Sequence, residues 1–266
     1  MLSSAAFCPH PPLSVPAIGQ ANLAALATTL NSFQKLNLEL LALKPDTLIL
    51  ISPQHQKKSA QLIINSAPQY LGSLENFGDL ATKIEFSSDP DLLSALQKTD
   101  QQLKNGMNFI FEAEPALDYG ATIPLYHLAK NLIGVKLLVL YPPADAPLSY
   151  NLELGKILQK VLKNSEKKIA LIASGDLSHK LSEDSPVGVS PRAKEFDHTL
   201  IQMLKHKKIA ELIALDPALS IEAEECALGP LTLLLGILYR VPYAPKVLSY
   251  EHPFGIGYLT MKMELK

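Results

Sequence analysis

Short apolar runs alternate with longer amphipathic segments through most of the sequence. The apolar runs are rich in Leu, Ile and Val and are bounded by Pro, Gly, Asp or Ser, as buried strands are; they are Thr47–Ile51, Gln61–Asn65, Val135–Tyr141 and Lys168–Ala173. Between them, apolar residues recur at helical spacing in Ala21–Leu43, Asp91–Lys104, Asn151–Lys163 and Pro191–Leu215. This alternation predicts an α/β fold with a mainly parallel central sheet and helices on both faces.

The domain organisation follows from the absence of any internal boundary in the pattern. No Gly/Ser linker, low-complexity tract or repeat divides the chain, so we expect one domain over residues 1–266. The proline-rich stretch at 142–147 is interpreted as a surface loop. Near the end of the chain, the pattern predicts two strands joined by a turn, at Lys246–Tyr250 and Gly257–Met263.

Composition narrows the class of protein. With 47% hydrophobic and 19% charged residues the chain can bury a full core, and a net charge of −2 argues against a nucleic-acid partner. The longest apolar stretch, Leu231–Tyr239, is shorter than the ~20 residues of a membrane span. Two cysteines and the lack of a signal-peptide pattern lead us to expect a cytoplasmic protein without a disulfide framework or a membrane association.

Common nucleotide-binding and hydrolase motifs are missing from the sequence. There is no phosphate-binding loop and no Gly-x-Ser-x-Gly nucleophile elbow. The Gly255-x-Gly257 pair does not open a helix, so it is not a dinucleotide fingerprint.

Candidate chemistry lies instead directly after the predicted strands. His10 follows the apolar run Ala5–Cys8, Gln54-His55 follows the run that ends at Ile51, and Asp176 and His179 follow the run that ends at Ala173. The carboxyl ends of parallel strands meet at one edge of a sheet, where ligands bind. We also expect the segment Glu222–Cys226 to lie in an otherwise apolar helix, where its carboxylates need a partner or a cation.

These residues suggest a metal site without proving one. His10, His55 and Glu225 could supply the two imidazoles and one carboxylate that suit non-haem Fe(II). The simpler alternative is that the strand-end histidines are hydrogen-bonded loop residues, and that Cys8 and Cys226 are small core residues. The residues by themselves leave these alternatives open.

Five motifs together carry a family resemblance. The motifs are Phe7–Gly19, Asp118–Leu125, Ser174–His179, Glu225–Leu231 and Ser249–Tyr258. With them, the sequence resembles the LigB superfamily of class III extradiol ring-cleavage dioxygenases, with the Memo proteins as cousins, from about residue 6 to 262.

The resemblance implies O₂-dependent cleavage of a small catechol-type aromatic substrate at Fe(II), with Zn, Cu or Mn as alternative metals. It implies that His10 is a metal ligand and that His179 acts as the acid/base, with Asp176 of the same motif as a further catalytic candidate. The acidic ligand falls at Glu225. Memo-like proteins place a cysteine near this point, which makes Cys226 a rival ligand.

Two positions depart from the family pattern. The family's Ser-Pro-His reads Ser52-Pro53-Gln54-His55 here, which favours His55 as the second imidazole, with Gln54 as the fallback. Tyr119 stands where the relatives have a histidine, and a phenol with a pKa near 10 is a poor base at neutral pH.

Three functional hypotheses follow. The chain is a ring-cleaving dioxygenase, a Memo-like metal protein with lost or altered catalysis, or a metal-free interaction protein. The substrate and the oligomeric state, a homo-oligomer included, stay open.

Overall fold

The computed structural model describes residues 1–53, 59–103, 107–144 and 146–266. Its strands are β1 (Leu2–Cys8), β2 (Thr47–Ile51), β3 (Leu62–Asn65), β4 (Gln69–Leu74), β5 (Asp79–Ser87), β6 (Phe109–Glu112), β7 (Ala116–Leu117), β8 (Lys136–Tyr141), β9 (Ile169–Ser174), β10 (Tyr243–Glu251) and β11 (Tyr258–Leu265). Its α-helices are α1 (Pro16–Gly19), α2 (Ala27–Leu43), α3 (Pro90–Asp100), α4 (Tyr119–Leu128), α5 (Leu148–Lys163), α6 (Ala193–Lys205), α7 (Ile209–Ile213), α8 (Pro217–Ala223) and α9 (Leu228–Ile237).

The larger of the described sheets has eight strands in the order β10-β11-β1-β9-β2-β8-β3-β6. Its centre is parallel, because β1 pairs with β9, β9 with β2, and β2 with β8 in the same direction. The C-terminal hairpin β10–β11 adds antiparallel strands beside β1. The carboxyl ends of β1, β9, β2 and β8 therefore meet at one edge, where His10 after β1 contacts Ser174 at the end of β9.

Alternating side chains of these strands build a core on each face. On β1, Ala5 and Phe7 belong to a cluster that includes α3, α5, α6 and α9, while Ala6 and Cys8 belong to a second cluster with α2 and α4. Because successive strand residues point to opposite faces, strands that are apolar throughout must be covered on both sides. The predicted single-domain α/β fold, with helices on both faces, is confirmed; the whole sheet is mixed around its parallel centre.

A smaller sheet, ordered β5-β4-β7, was not predicted from the sequence. Its strands are half exposed and interrupted by polar residues, so they lack the continuous apolar runs of the central strands. Gly72 in β4 is required by packing, because a Cβ there would lie 2.6 Å from Ile84 and 2.9 Å from Thr122. This contact fixes the small sheet against the start of α4.

The expectation that Glu222–Cys226 lies within a helix was right for Glu222 and Ala223 but wrong for the three residues that follow. Helix α8 ends at Ala223, and Glu224 follows with a left-handed backbone (φ 51°). Glu225 and Cys226 lie in the break before α9. Since a left-handed residue ends a helix, the two apolar patterns on either side belong to separate helices.

Two other predicted helices differ in extent. The segment predicted at Ala21–Leu43 begins as a 3₁₀ helix over Gln20–Leu26, and the one at Pro191–Leu215 divides into α6 and α7. Among the described helices, none is long and apolar enough to cross a membrane.

Candidate active site

His10 lies just past the end of β1, where the neighbouring strand β9 supplies its partners. The backbone N–H of His10 donates to Asp176 Oδ1 at 2.9 Å. The imidazole Nδ1 lies 2.8 Å from Ser174 Oγ, and that hydroxyl donates to the Gly120 carbonyl at 2.6 Å. Because the single hydroxyl proton of Ser174 is used on Gly120, Ser174 accepts from Nδ1–H. The tautomer of His10 is thereby fixed, with Nε2 unprotonated.

The unprotonated nitrogen of His10 faces two further electron-rich atoms. Its Nε2 lies 3.5 Å from Asp176 Oδ2 and 3.7 Å from Cys226 Sγ. Burial lowers the pKa of His10 to about 4, although the Asp118 carboxylate opposes this shift, so the imidazole is neutral at physiological pH. A lone pair, a carboxylate oxygen and a sulfur converge here in a buried setting, which is the arrangement that a cation stabilises.

Cys226 is held in place by reciprocal contacts with Asp176. The backbone N–H of Asp176 donates to Cys226 Sγ at 3.2 Å, and the backbone N–H of Cys226 donates to the Asp176 carbonyl at 3.1 Å. The two loops cross so closely that a Cβ on Gly175 would lie 2.7 Å from Ala227 Cα. A glycine is required here because of this approach, which brings the sulfur to the His10 side of the loop.

His179 approaches the same carboxylate from the solvent side. Its Nε2 lies 4.0 Å from Asp176 Oδ2, and its side chain is about a quarter exposed (23%). Its Nδ1 is buried without a hydrogen-bond partner among the described residues. Burial raises the pKa of Asp176 to about 6, and His179 together with the backbone N–H of His10 offsets part of that shift.

Tyr119 packs edge-on against His10, with ring centroids 5.3 Å apart and an interplanar angle of 80°. It is the first residue of α4, whose N-terminus is capped by the Asp118 side chain. Burial raises the pKa of Tyr119 to about 12, and the negative groups of Cys226, Asp176 and Asp118 add to the shift. The hydroxyl is therefore a hydrogen-bond donor at neutral pH and not a base.

Comparison with known proteins identifies the family of this chain. The family model for the catalytic LigB subunit of aromatic ring-opening dioxygenase matches residues 4–261. The chain belongs to the LigB family. Dioxygenases of this family are typically metal-dependent, which agrees with the convergence of donor atoms at the carboxyl edge of the sheet.

Two individual proteins are similar to this LigB chain. Protein CA_C1420 of Clostridium acetobutylicum is 27% identical over 268 residues, which cover 96% of this chain and 56% of that protein. The chain thus spans little more than half the length of this curated relative. The crystal structure of uncharacterized protein JW3007 from Escherichia coli K12 aligns with a TM-score of 0.68 at 15% identity, covering 98% of this chain and 99% of that one. At this identity the likeness shows the fold alone.

Glu225, the acidic ligand expected from the LigB resemblance, has other partners in the structure. Its Oε1 accepts from Ser220 Oγ at 2.7 Å, and its Oε2 accepts from the N–H groups of Ala227 at 2.5 Å and Leu228 at 2.8 Å. Burial raises the pKa of Glu225, and these hydrogen bonds offset part of the shift. The carboxylate thus accepts hydrogen bonds from the backbone N–H groups at the start of α9, while the next residue, Cys226, faces His10.

The second predicted imidazole, His55, and its fallback Gln54 lie outside the described residues. Within the described ranges, no group of three or more His, Cys, Asp and Glu side chains that could hold a metal ion is found. The described donors alone therefore do not complete a metal-ligand set.

Ser174 and Asp197 support the site, and neither was predicted from the sequence. Asp197 of α6 is buried; its Oδ1 accepts from the Ser178 N–H at 2.8 Å and its Oδ2 accepts from the Tyr250 hydroxyl at 2.7 Å. Asp197 thereby holds Ser178, the residue next to His179, in place. A signal for Asp197 was present, since it occupies an apolar position of an amphipathic helix, three residues before the buried Leu200. For Ser174 the signal was its place at the start of the motif Ser174–His179.

Proposed function

We propose that this LigB chain is a non-haem Fe(II)-dependent extradiol dioxygenase acting with O₂ on a catechol-type aromatic substrate, through one domain spanning residues 1–266. The observation that carries the proposal is the convergence of the unprotonated His10 Nε2, Cys226 Sγ and Asp176 Oδ2 within 3.7 Å at the carboxyl edge of the sheet. A cytoplasmic location is part of the same proposal.

The proposed ligands are His10, His55 and Cys226, with Glu225 as the rival. Cys226 is favoured over Glu225 because its sulfur faces His10 while the Glu225 carboxylate accepts from the start of α9. Imidazole suits Fe, Zn and Cu, and thiolate is a soft ligand that strengthens Zn and Cu as alternatives, whereas Mn prefers oxygen donors. A bound Fe(II) with open positions would supply the site where O₂ and the ring diol meet.

The proton chemistry is assigned to His179 and Asp176. His179 is partly exposed, so its Nε2 is placed to take a proton from a substrate hydroxyl, and the Asp176 carboxylate 4.0 Å away would stabilise the imidazolium that forms. Tyr119 lies against His10 and offers its hydroxyl as a donor. Because the pKa of Tyr119 is raised to about 12, its hydroxyl cannot accept a proton near neutral pH.

A Memo-like metal protein with lost or altered catalysis is the second candidate. Two observations favour it: the sulfur of Cys226 faces His10, and Tyr119 replaces a titrating group beside the same ring. The two candidates share the metal site and differ in whether the ring is opened.

The deciding experiment measures bound metal and oxygen uptake together. Protein purified without added metal is analysed for metal content, loaded anaerobically with Fe(II), and given a panel of catechols under reducing conditions. We expect metal binding with slow ring opening in the wild type and a gain on the order of 10²-fold or more in Tyr119→His, because it restores a second proton-transfer group.

Controls separate the outcomes of this experiment. Tyr126→Phe alters a hydroxyl further along the same helix and should leave uptake unchanged, while His10→Ala should lose both metal and uptake. Bound metal without ring opening in any variant would favour the Memo-like protein. Fast wild-type turnover that Tyr119→Phe does not alter would show that this position carries no proton chemistry.

A further inference from the structure

An aromatic side chain on the small sheet extends the candidate site toward solvent. Phe77 lies at the tip of the β4–β5 hairpin, and its ring packs edge-on against Tyr119 with centroids 5.4 Å apart and an interplanar angle of 71°. Tyr119 in turn packs against His10 at 5.3 Å. Exposure increases along this series, from 1% for His10, through the half-buried Tyr119, to 37% for Phe77. The three rings therefore lead from the donor atoms outward.

The hairpin tip that carries Phe77 is held rigidly. Gly78 takes a left-handed backbone (φ 84°), and the buried Asp79 carboxylate accepts from the N–H groups of Ala81 at 3.1 Å and Thr82 at 3.0 Å. At the base of the tip, the fully buried Leu74 packs in a cluster that Tyr119 also contacts. A rigid tip means that Phe77 is presented to Tyr119 without a large loss of conformational entropy on ligand binding.

Leu80, on the same hairpin, provides a comparison within the chain. It is 73% exposed, and single exposed apolar side chains of this kind are ordinary at protein surfaces. Phe77 differs because its ring contacts a ring of the candidate site.

We infer that Phe77 forms an apolar wall at the entrance of the site and selects ring substrates with an apolar substituent on the side away from the diol. The inference rests on the proposed function, in which the diol end of the substrate lies at His10 and Cys226. An alkyl or aryl substituent reaching Phe77 gains by burial, whereas a carboxylate there loses hydration without compensation from the phenyl ring. Phe77 is thus a specificity-determining residue.

The test compares the affinities of two diols in the absence of O₂, so that it does not depend on turnover. Metal-loaded wild type, Phe77→Ala, Phe77→Leu and the matched control Leu80→Ala are titrated with catechol and with 4-tert-butylcatechol by calorimetry. We expect wild type and Leu80→Ala to prefer 4-tert-butylcatechol by about 10-fold, as an apolar group in a fitted pocket gives. In Phe77→Ala the preference should fall below about threefold, with Phe77→Leu between.

The outcomes distinguish this inference from the proposed function. The inference about Phe77 is wrong if wild type, Phe77→Ala and Phe77→Leu prefer 4-tert-butylcatechol over catechol to the same extent. It is also wrong if the wild type binds neither diol or prefers catechol. If Phe77→Ala loses the preference for 4-tert-butylcatechol and no catechol gives a ring-opened product, the role of Phe77 is supported and the proposed dioxygenase function is rejected. Ring-opened product with an unchanged preference rejects the wall alone. If Phe77→Ala does not fold, the comparison of Phe77→Leu with Leu80→Ala decides.

Discussion

Replacing Asp197 by Asn should remove a pH dependence from the stability of this protein. Burial raises the pKa of the Asp197 carboxyl to about 7, although the hydrogen bonds from Tyr250 and Ser178 offset part of the shift. The ordinary value is 3.8, which we take for the unfolded chain. Asparagine keeps the shape and an oxygen for the Ser178 N–H, but it does not titrate.

The sign and size of the effect follow from proton linkage. Between pH 4 and pH 7 the folded state holds a proton on Asp197 that the unfolded state has lost, so the free energy of unfolding falls as pH rises. One proton corresponds to about 1.4 kcal/mol per pH unit, and the slope halves near the folded pKa. From pH 5 to pH 7 the wild type should therefore lose about 2 kcal/mol more than Asp197→Asn.

Urea unfolding at pH 5 and pH 7, at constant ionic strength and with a chelator present, measures this difference. Asp176 and Glu225 also have raised pKa values, but both residues are present in wild type and in Asp197→Asn. Asp184→Asn, at an exposed position, is the control and should follow the wild type. If wild type and Asp197→Asn lose the same free energy between the two pH values, the reasoning from burial is wrong.

Three further predictions concern the site and its supports. Ser174→Ala should weaken Zn or Fe(II) binding by about 10–100-fold in competition with a chromophoric chelator, because the imidazole tautomer is no longer fixed. In the same assay, Cys226→Ala should weaken metal binding further than Ser174→Ala does. Glu225→Ala should leave metal binding unchanged and lower the free energy of unfolding by about 1 kcal/mol. Metal binding that is lost in Glu225→Ala but kept in Cys226→Ala would make Glu225 the ligand. Gly257→Ala should lower the free energy of unfolding by about 1–3 kcal/mol in urea melts, because its Cβ would lie 2.1 Å from Asp197 Oδ2; wild-type stability would contradict this packing.

Much of the architecture was predictable because it is encoded in local periodicity. Runs such as Thr47–Ile51 are apolar at every position, and only a strand buried on both faces explains such a run beside amphipathic helices. The small sheet was missed for the same reason, since its half-exposed strands carry no continuous apolar pattern. Local sequence likewise placed His10 and Asp176 after strands, and therefore at one edge of the sheet.

The sequence by itself determined the fold class, the positions of His10 and Asp176 directly after strands, and the resemblance to the LigB family. The tertiary structure decided which atoms meet there. Ser174 and His10 are 164 residues apart, so no local pattern could show that a hydroxyl fixes the imidazole tautomer. Glu225 and Cys226 are adjacent, and the sequence could not show which of them faces His10. The break between α8 and α9 decides this, because it directs the carboxylate to the N–H groups that begin α9 and the sulfur to His10.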